Sequence, residues 1–474
     1  MTGPGEELIA AGYAWETADA SVLHDALNLA DLAHAVELAD RGVVPAESAR
    51  KLIGALLDMS AVDYDPRHGE LYDSRERHLT ARIGADAGWL RAGRTRREAV
   101  RIALRITLRA QLLDLVAGAA GLATALADQA ERHVDTLMPD YTYLQQAQPT
   151  TFGHYLLSFA DPVLRDADRL LAELGHVNGS PAGSGAANGS PILADREGSA
   201  RALGFDRAIT HTRDAMWQTD PFLHLLTTAT SLVLTQDKLA EDLEIFTSAE
   251  FDFVDLADAY TRPSILMPQK RNPYALTVVR GSAGVLLGRL AGQAAVAKTP
   301  SARSDNLIYV YGELPRAIDL AARVTRLSAA VVRTLAARPE RMRAALDSGV
   351  TAAADLADLL MRRFAVDYRT AHRVVARAVR AGLDADSLAK AASDVTGQDW
   401  RIDATELAVA LDPATLVRSR TALGGAAPSA MGPMVAGVRA AAEELERRVE
   451  RSRRRIAAAE TAVRERAHEL GRIG

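Results

Sequence analysis

The chain has 474 residues, a formal charge of −5, no cysteine and 5% aromatic residues. Absence of cysteine excludes disulfides, thiolate nucleophiles and thiolate metal ligands, and the small negative balance gives no electrostatic reason to expect nucleic acid or a membrane as partner. No signal-peptide pattern opens the chain and no uninterrupted apolar run reaches about 18 residues, so a cytoplasmic protein without membrane spans is expected.

The length is too great for one simple core, so two or three subdomains are expected. Alanine and leucine abound and β-branched runs are few, which predicts an all-α fold. Residues 19–58 read as two amphipathic helices split at Gly42–Pro45. A helix follows at 70–84. Residues 98–137 hold apolar side chains at i, i+3, i+4 spacing with no proline, a rod of roughly 60 Å. Pro139–Pro149 reads as a short loop. Residues 150–176 predict a helix kinked at Pro162, and the Gly/Ser/Pro/Asn-rich stretch 177–195 an irregular loop. Long helices are predicted at 214–250, 274–298 and 312–346, so the centre is a long-helix bundle. The last ~120 residues predict shorter helices, a Gly-rich turn at Gly424–Pro428 and a charged helix from Met431. Long helices with extended apolar faces seldom bury themselves within one chain, so oligomerisation through the central helices is expected.

The stretch 261–280, TRPSILMPQKRNPYALTVVR, is chemically distinct. Pro263, Pro268 and Pro273 prevent a helix before Tyr274. A hydroxyl (Ser264), an amide (Asn272) and two cations (Lys270, Arg271) lie between them, just ahead of an apolar helix whose N-terminus favours anions. Composition alone fits a surface loop. The order of residues is more specific. Ser264, Met267, Pro268, Lys270, Asn272 and Pro273 match the GSSxMPxKxNP loop of the fumarase/aspartase superfamily. Over roughly 20–450 the chain resembles argininosuccinate lyase: YTYLQQAQPT (141–150) is similar to that family's YTHLQxAQPI, and GRTRRE (93–98) to GRSRND. The segments 183–196 and 238–256 also match.

The resemblance implies a fumarase/aspartase-type fold of three all-α domains, divided here as 1–98, 99–350 and 351–474. It implies a homotetramer whose active sites form where three subunits meet. It also implies an anti elimination in which nitrogen leaves a succinyl carbon and fumarate forms, so the partner is a small dicarboxylate. The proton removed lies next to a carboxylate and is a poor acid, so the reaction needs a placed base and donors for the developing aci-carboxylate. Ser264 matches the family's base. A free serine is too weakly acidic for this work and needs Lys270, backbone N–H groups and a closed, dry loop around it. Lys270, Asn272, Thr95, Arg96, Thr142 and Gln148 match carboxylate-binding positions. Taken singly, Thr95, Arg96, Thr142 and Gln148 read more readily as a helix cap or exposed polar residues. No HExxH, P-loop or GxGxxG context occurs, so no metal, nucleotide or nicotinamide cofactor is expected.

The departures are as informative. The family's His is Tyr143, and its partner Glu, thirteen residues after the serine, is Thr277. Tyr143 reads either as a replacement acid, since its normal pKa near 10 suits an acid, or as packing. The arginine-binding AYNxDLQEDK becomes ARSDNLIYVY (302–311), with Arg303, Ile308 and Tyr311 in place of Tyr, Gln and Lys. Arg97, Arg91 and Tyr72 replace Asn, His and His, and Pro263 replaces the loop glycine and stiffens a lid. Argininosuccinate is therefore not the expected substrate. Arg91, Arg97 and Arg303 point either to a more anionic N-succinyl compound, bound with Arg97 and Arg303 among its ligands, or to local ion pairs. A catalytically degenerate oligomeric scaffold is the alternative function.

Overall fold

The computed structural model describes residues 4–303, 305–348 and 350–472. Its axis is one helix, α4, preceded by α1 (Ala20–Asp40), α2 (Ala46–Leu57) and α3 (Leu71–Ile83). α4 (Arg96–Arg132) is buried along its whole length, from Ala99 to Ala130. A helix that is apolar on nearly all sides must be covered on all sides. The cover comes from α1, α5 (Ala160–Val177), α8 (Glu313–Thr334) and α9 (Pro428–Arg472). α6 (Asp220–Phe246) and α7 (Tyr274–Ala297) complete the bundle, α6 packing on α5, α7 and α8. Among the described residues, α4 is the one helix long and apolar enough to cross a membrane by length and composition, and 61% of its apolar window is buried within this bundle.

Four arginines at i, i+4 spacing (97, 101, 105, 109) interrupt the apolar surface of α4. Three stand over aromatic rings: Arg101 over Trp217 at 4.6 Å, Arg105 over Phe222 at 5.0 Å and Arg109 over Phe205 at 4.8 Å. Each also has oxygen partners. Arg101 donates to Asp305 (3.2 Å), Arg105 to the carbonyls of His176 (2.9 Å) and Val177 (3.0 Å), and Arg109 to Glu460 (2.9 Å). Buried charge is tolerated only with such compensation. Arg105, whose hydrogen bonds go to carbonyls, is pushed down by burial to about 10.

Residues 356–407 form a separate small core around Leu360, Val374, Leu388 and Trp400, with Trp400 stacked on Phe364 at 4.5 Å. α9 instead adds Met431, Val435, Val438, Leu445 and Val449 to the main core.

The helices expected at 19–58, 70–84 and 274–298 form with breaks where glycine and proline place them. Four details differ, the first being the expected helix 214–250, which breaks at Gln218–Thr219 into Thr212–Trp217 and α6. Residues 139–149 are not a loop: β1 (Leu137–Thr142) and β2 (Gln145–Thr151) pair as an antiparallel hairpin. The helix 150–176 breaks at Ser158–Phe159, and Pro162 lies in the first turn of α5, where a missing N–H costs no hydrogen bond. The stretch 312–346 divides at 335–338, ahead of Pro339.

The N-terminal helices are fixed by a dry ion cluster. Asp31, fully buried, accepts from Arg75 (2.7 Å) and from the Tyr72 hydroxyl (2.7 Å), and pairs with Arg94. Burial opposes its charge, but the two guanidiniums win and hold its carboxyl below the usual range. Asp31→Ala leaves two buried cations unpaired and lowers the unfolding free energy by roughly 3–5 kcal/mol, measured by chemical denaturation at neutral pH. Because the native carboxyl is depressed, its stabilisation is present above the unfolded value and is lost as pH falls through the folded one.

Candidate active site

Ser264 lies at the base of a small hairpin. β3 (Arg262–Pro263) pairs with β4 (Arg271–Asn272). The Ser264 N–H donates to the Lys270 carbonyl (3.1 Å), and the Ser264 Oγ accepts from the Met267 N–H (3.0 Å). The hydroxyl is thus oriented by backbone while the loop tip is open: Ile265, Leu266 and Lys270 are exposed. Asn272 donates to the Arg262 carbonyl (2.9 Å). Arg271 anchors the foot through Asp255 (2.8 Å), Asp258 (2.7 Å) and the Leu256 carbonyl (2.8 Å).

The hairpin β1–β2 supplies the next set. Thr142 and Gln148 are exposed on its strands. Tyr143 and Leu144 form the two-residue turn with φ of 54° and 57°. Both angles are positive, as a type I′ turn requires, although neither residue is glycine or asparagine. The Tyr143 ring points fully outward, 99% exposed. Close to the turn the hairpin is held by Tyr141, which packs on Phe246, Phe251 and Phe253. Phe253 lies two residues before Asp255, the anchor of the Ser264 loop. Thr142, Tyr143, Gln148, Ser264, Lys270 and Asn272 therefore occupy one end of the bundle.

The remaining candidates occupy the other end. Thr95 is the N-cap of α4: its Oγ1 accepts from the Glu98 N–H (3.2 Å) and donates to the Gly185 carbonyl (3.2 Å), tying down the loop at 183–190. Glu98 beneath it accepts from the Gly183 N–H (2.7 Å), and burial lifts its carboxyl to about 7. Arg96 pairs with Glu70 (3.0 Å) and Asp73. Arg97 meets Glu16 (2.9 Å), Glu70 (2.8 Å) and Asp305 (2.7 Å). Arg303 is exposed in the segment after α7. The 37 residues of α4 separate these two groups by about 55 Å.

These partners favour the ion-pair reading of Arg91 and Arg97 over the anionic-substrate one. Arg91 forms a two-pronged pair with Glu76, and Arg97 is surrounded by three carboxylates, so neither offers free positive charge to an anionic ligand. The replaced histidine position Tyr72 is bound into the Asp31 cluster, and Arg94 donates to its hydroxyl at 2.8 Å. At the position of the missing family Glu, Thr277 donates to Glu244 (3.2 Å), which also takes Arg280 (2.7 Å). Glu244 carried no sequence signal, because it comes from α6, 33 residues earlier.

Comparison with known proteins now bears on this geometry. The lyase family model matches residues 31–288, and the argininosuccinate lyase C-terminal model matches 350–418. The chain is 36% identical over 420 residues to argininosuccinate lyase of Halobacterium salinarum, covering 86% of this chain and 85% of that one. It is 35% identical over 445 residues to the Natronomonas pharaonis argininosuccinate lyase, covering 92% and 89%. The chain belongs to the fumarase/aspartase superfamily, among its argininosuccinate-lyase-like members. Among solved structures, EDDS lyase in complex with formate superposes with a TM-score of 0.87 at 25% identity, covering 99% of this chain and 97% of that one. The fumarate lyase from Mesorhizobium sp. BNC1 shares the fold, with a TM-score of 0.73 at 19% identity over 92% and 96% of the two chains. The family assignment and the all-α fold agree with the sequence reading.

Replacing Tyr143–Leu144 with Asn–Gly, which adopt positive φ readily, removes the turn strain. The double variant is expected to gain about 1–2 kcal/mol, seen as a higher melting temperature; an unchanged or lower value contradicts the strained-turn account.

Proposed function

We propose that this lyase is a cofactor-independent carbon–nitrogen lyase. It eliminates a nitrogen group from an N-substituted aspartate to give fumarate, or runs the reverse addition, on a substrate other than argininosuccinate. The observation that carries the reading is the Ser264 hairpin, where a backbone-oriented hydroxyl shares a short loop with Lys270 and Asn272. Ser264 takes the proton from the carbon beside a carboxylate. Lys270 stabilises the charge that develops, and closure of the loop removes the water that would otherwise screen it. Thr95, Arg96, Thr142, Gln148 and Asn272 hold the two carboxylates. Tyr143 supplies an acidic O–H at the position where the family carries a histidine.

The ~55 Å between the two groups means that no single chain assembles these residues. The reading therefore includes a homotetramer with shared sites. α7 favours such an assembly: Val285 and Leu287 are 47% exposed, and the open space over Gly281, Gly284, Gly288 and Gly292 leaves room for close helix approach. An antiparallel two-fold pairing of such helices brings opposite ends of two bundles together. A cytoplasmic setting fits small-molecule metabolism of this kind.

Fumarate consumption with a panel of amines, hydrazines and amino acids is expected to show turnover that Ser264→Ala reduces by roughly 10²–10⁴. Full activity of Ser264→Ala contradicts the base assignment. No turnover with any nucleophile, from folded oligomer, favours the scaffold reading. If Tyr143→Phe is silent, Tyr143 is not the acid.

A further inference from the structure

One buried acid has no part in the chemistry above. Glu98 and His34 are 0% and 5% exposed, and the Oε2 of the first and the Nε2 of the second have no hydrogen-bond partner. Both residues line one cavity of about 20 Å³, together with Glu37, Arg94 and Ser199. The neighbouring polar groups are committed elsewhere. Arg94 donates to the Ala30 carbonyl (3.1 Å) and the Tyr72 hydroxyl (2.8 Å), and Ser199 donates to Glu37 (2.7 Å). Burial, and then Arg94, hold His34 well below the usual imidazole value, against Asp31 and the carbonyls of Ala92 and Leu90. A neutral imidazole has one N–H. Those carbonyls take it, so Nε2 is left as an acceptor. Two acceptors thus face one void. Roughly 10–15 Å³ is enough for one water, and a water has two hydrogens to give.

The other oxygen of Glu98 faces the loop at 183–190. It accepts from the Gly183 N–H (2.7 Å), and the Gly185 N–H also favours the charged carboxyl. Gly183 has a φ of 74°, and a Cβ there would lie 2.7 Å from Arg196, so glycine is required to present this amide. The Thr95 hydroxyl holds the same loop at the Gly185 carbonyl (3.2 Å). A hydroxyl has a single hydrogen. Thr95 can give it to a carboxylate only by releasing Gly185. The loop then needs a second hold that ligand binding leaves intact.

We propose that Glu98, bridged to His34 by one trapped water, is that hold: a positioning residue that keeps the loop fixed at Gly183 while the Thr95 hydroxyl turns from Gly185 to a substrate carboxylate. The lyase reading enters only through the identity of the carboxylate. A pH dependence follows. Burial lifts the Glu98 carboxyl to about 7, against Arg94, the Gly183 and Gly185 amides and Arg196. The charged side chains facing it are Arg94, Arg196 and, across the cavity, Glu37 on α1; His34 is neutral. An anion bound at Thr95, one helical turn away, favours the neutral acid. Fumarate binding therefore draws a proton onto Glu98, and affinity falls as pH rises through about 7.

The test combines calorimetric titration of the intact protein with fumarate and amide hydrogen exchange over 183–190 without ligand. Glu98→Gln keeps the acceptor for Gly183 and offers an N–H to the water. It is expected to retain loop protection and the affinity seen in mild acid. The wild-type affinity relative to Glu98→Gln should fall roughly fivefold from about pH 6 to about pH 8. Glu98→Leu has no acceptor, so exchange over 183–190 should quicken and fumarate affinity drop, each about tenfold. Wild-type exchange and affinity in Glu98→Leu, or a pH-independent ratio of wild type to Glu98→Gln, overturns the proposal. If Glu98→Leu does not fold, the isosteric Glu98→Gln decides through that ratio. The exchange readout needs neither ligand nor turnover, so it fails separately from the lyase reading, which fails when no nucleophile gives Ser264-dependent consumption of fumarate.

Discussion

The rigidity of α4 governs the molecule. An uninterrupted helix of 37 residues cannot fold back, so whatever is attached to its two ends stays about 55 Å apart. Its N-terminus carries the Thr95 cap, Arg96, Arg97 and the loop at 183–190. Its C-terminus leads within a few residues into the strained hairpin of Tyr143. The aromatic cluster of Tyr141, Phe246, Phe251 and Phe253 then places the Ser264 loop at that same end. A chain built on this rod holds, in the proposed function, two half-sites and completes neither. In the proposed function, association is therefore a condition of catalysis as well as of stability.

The rod is also a charged object. An apolar helix with arginines every fourth position is unfavourable unless each guanidinium finds compensation. Here rings cover three of them and oxygens from distant segments meet their N–H groups. The pairing of Arg97 with Glu16, Glu70 and Asp305 ties the N-terminal segment, the start of α3 and the segment after α7 to one point.

Much of this was legible in the sequence. Period-3.6 patterns placed the long helices, and the order of residues in 261–280 located the serine loop. What stayed hidden depended on contacts between distant residues. The hairpin at 137–151 was unreadable because its turn uses Tyr143–Leu144, where glycine or asparagine normally marks the reversal. The arginines at 97, 101, 105 and 109 share one face by spacing, but their partners lie as far away as Glu460. Arg91 and Arg97 could be read as free charge or as local ion pairs, because the sequence does not show Glu76, or Glu16 and Asp305, folded against them. The substitution of Thr277 for the family's Glu was visible, whereas the carboxylate of Glu244 against it was not.

The claim that a working site needs both ends of the bundle, from different copies, has a direct measurement. Ser264→Ala and Arg96→Ala, each inactive alone, are unfolded together and refolded into mixed oligomers. If the two residues reach a site from different chains, roughly a quarter of sites escape both lesions, since each lesion independently spares half. Recovery of about that fraction of wild-type turnover is the predicted result. No recovery, with mixed oligomers shown by native mass spectrometry, would mean that both residues serve a site within one chain and would contradict the account.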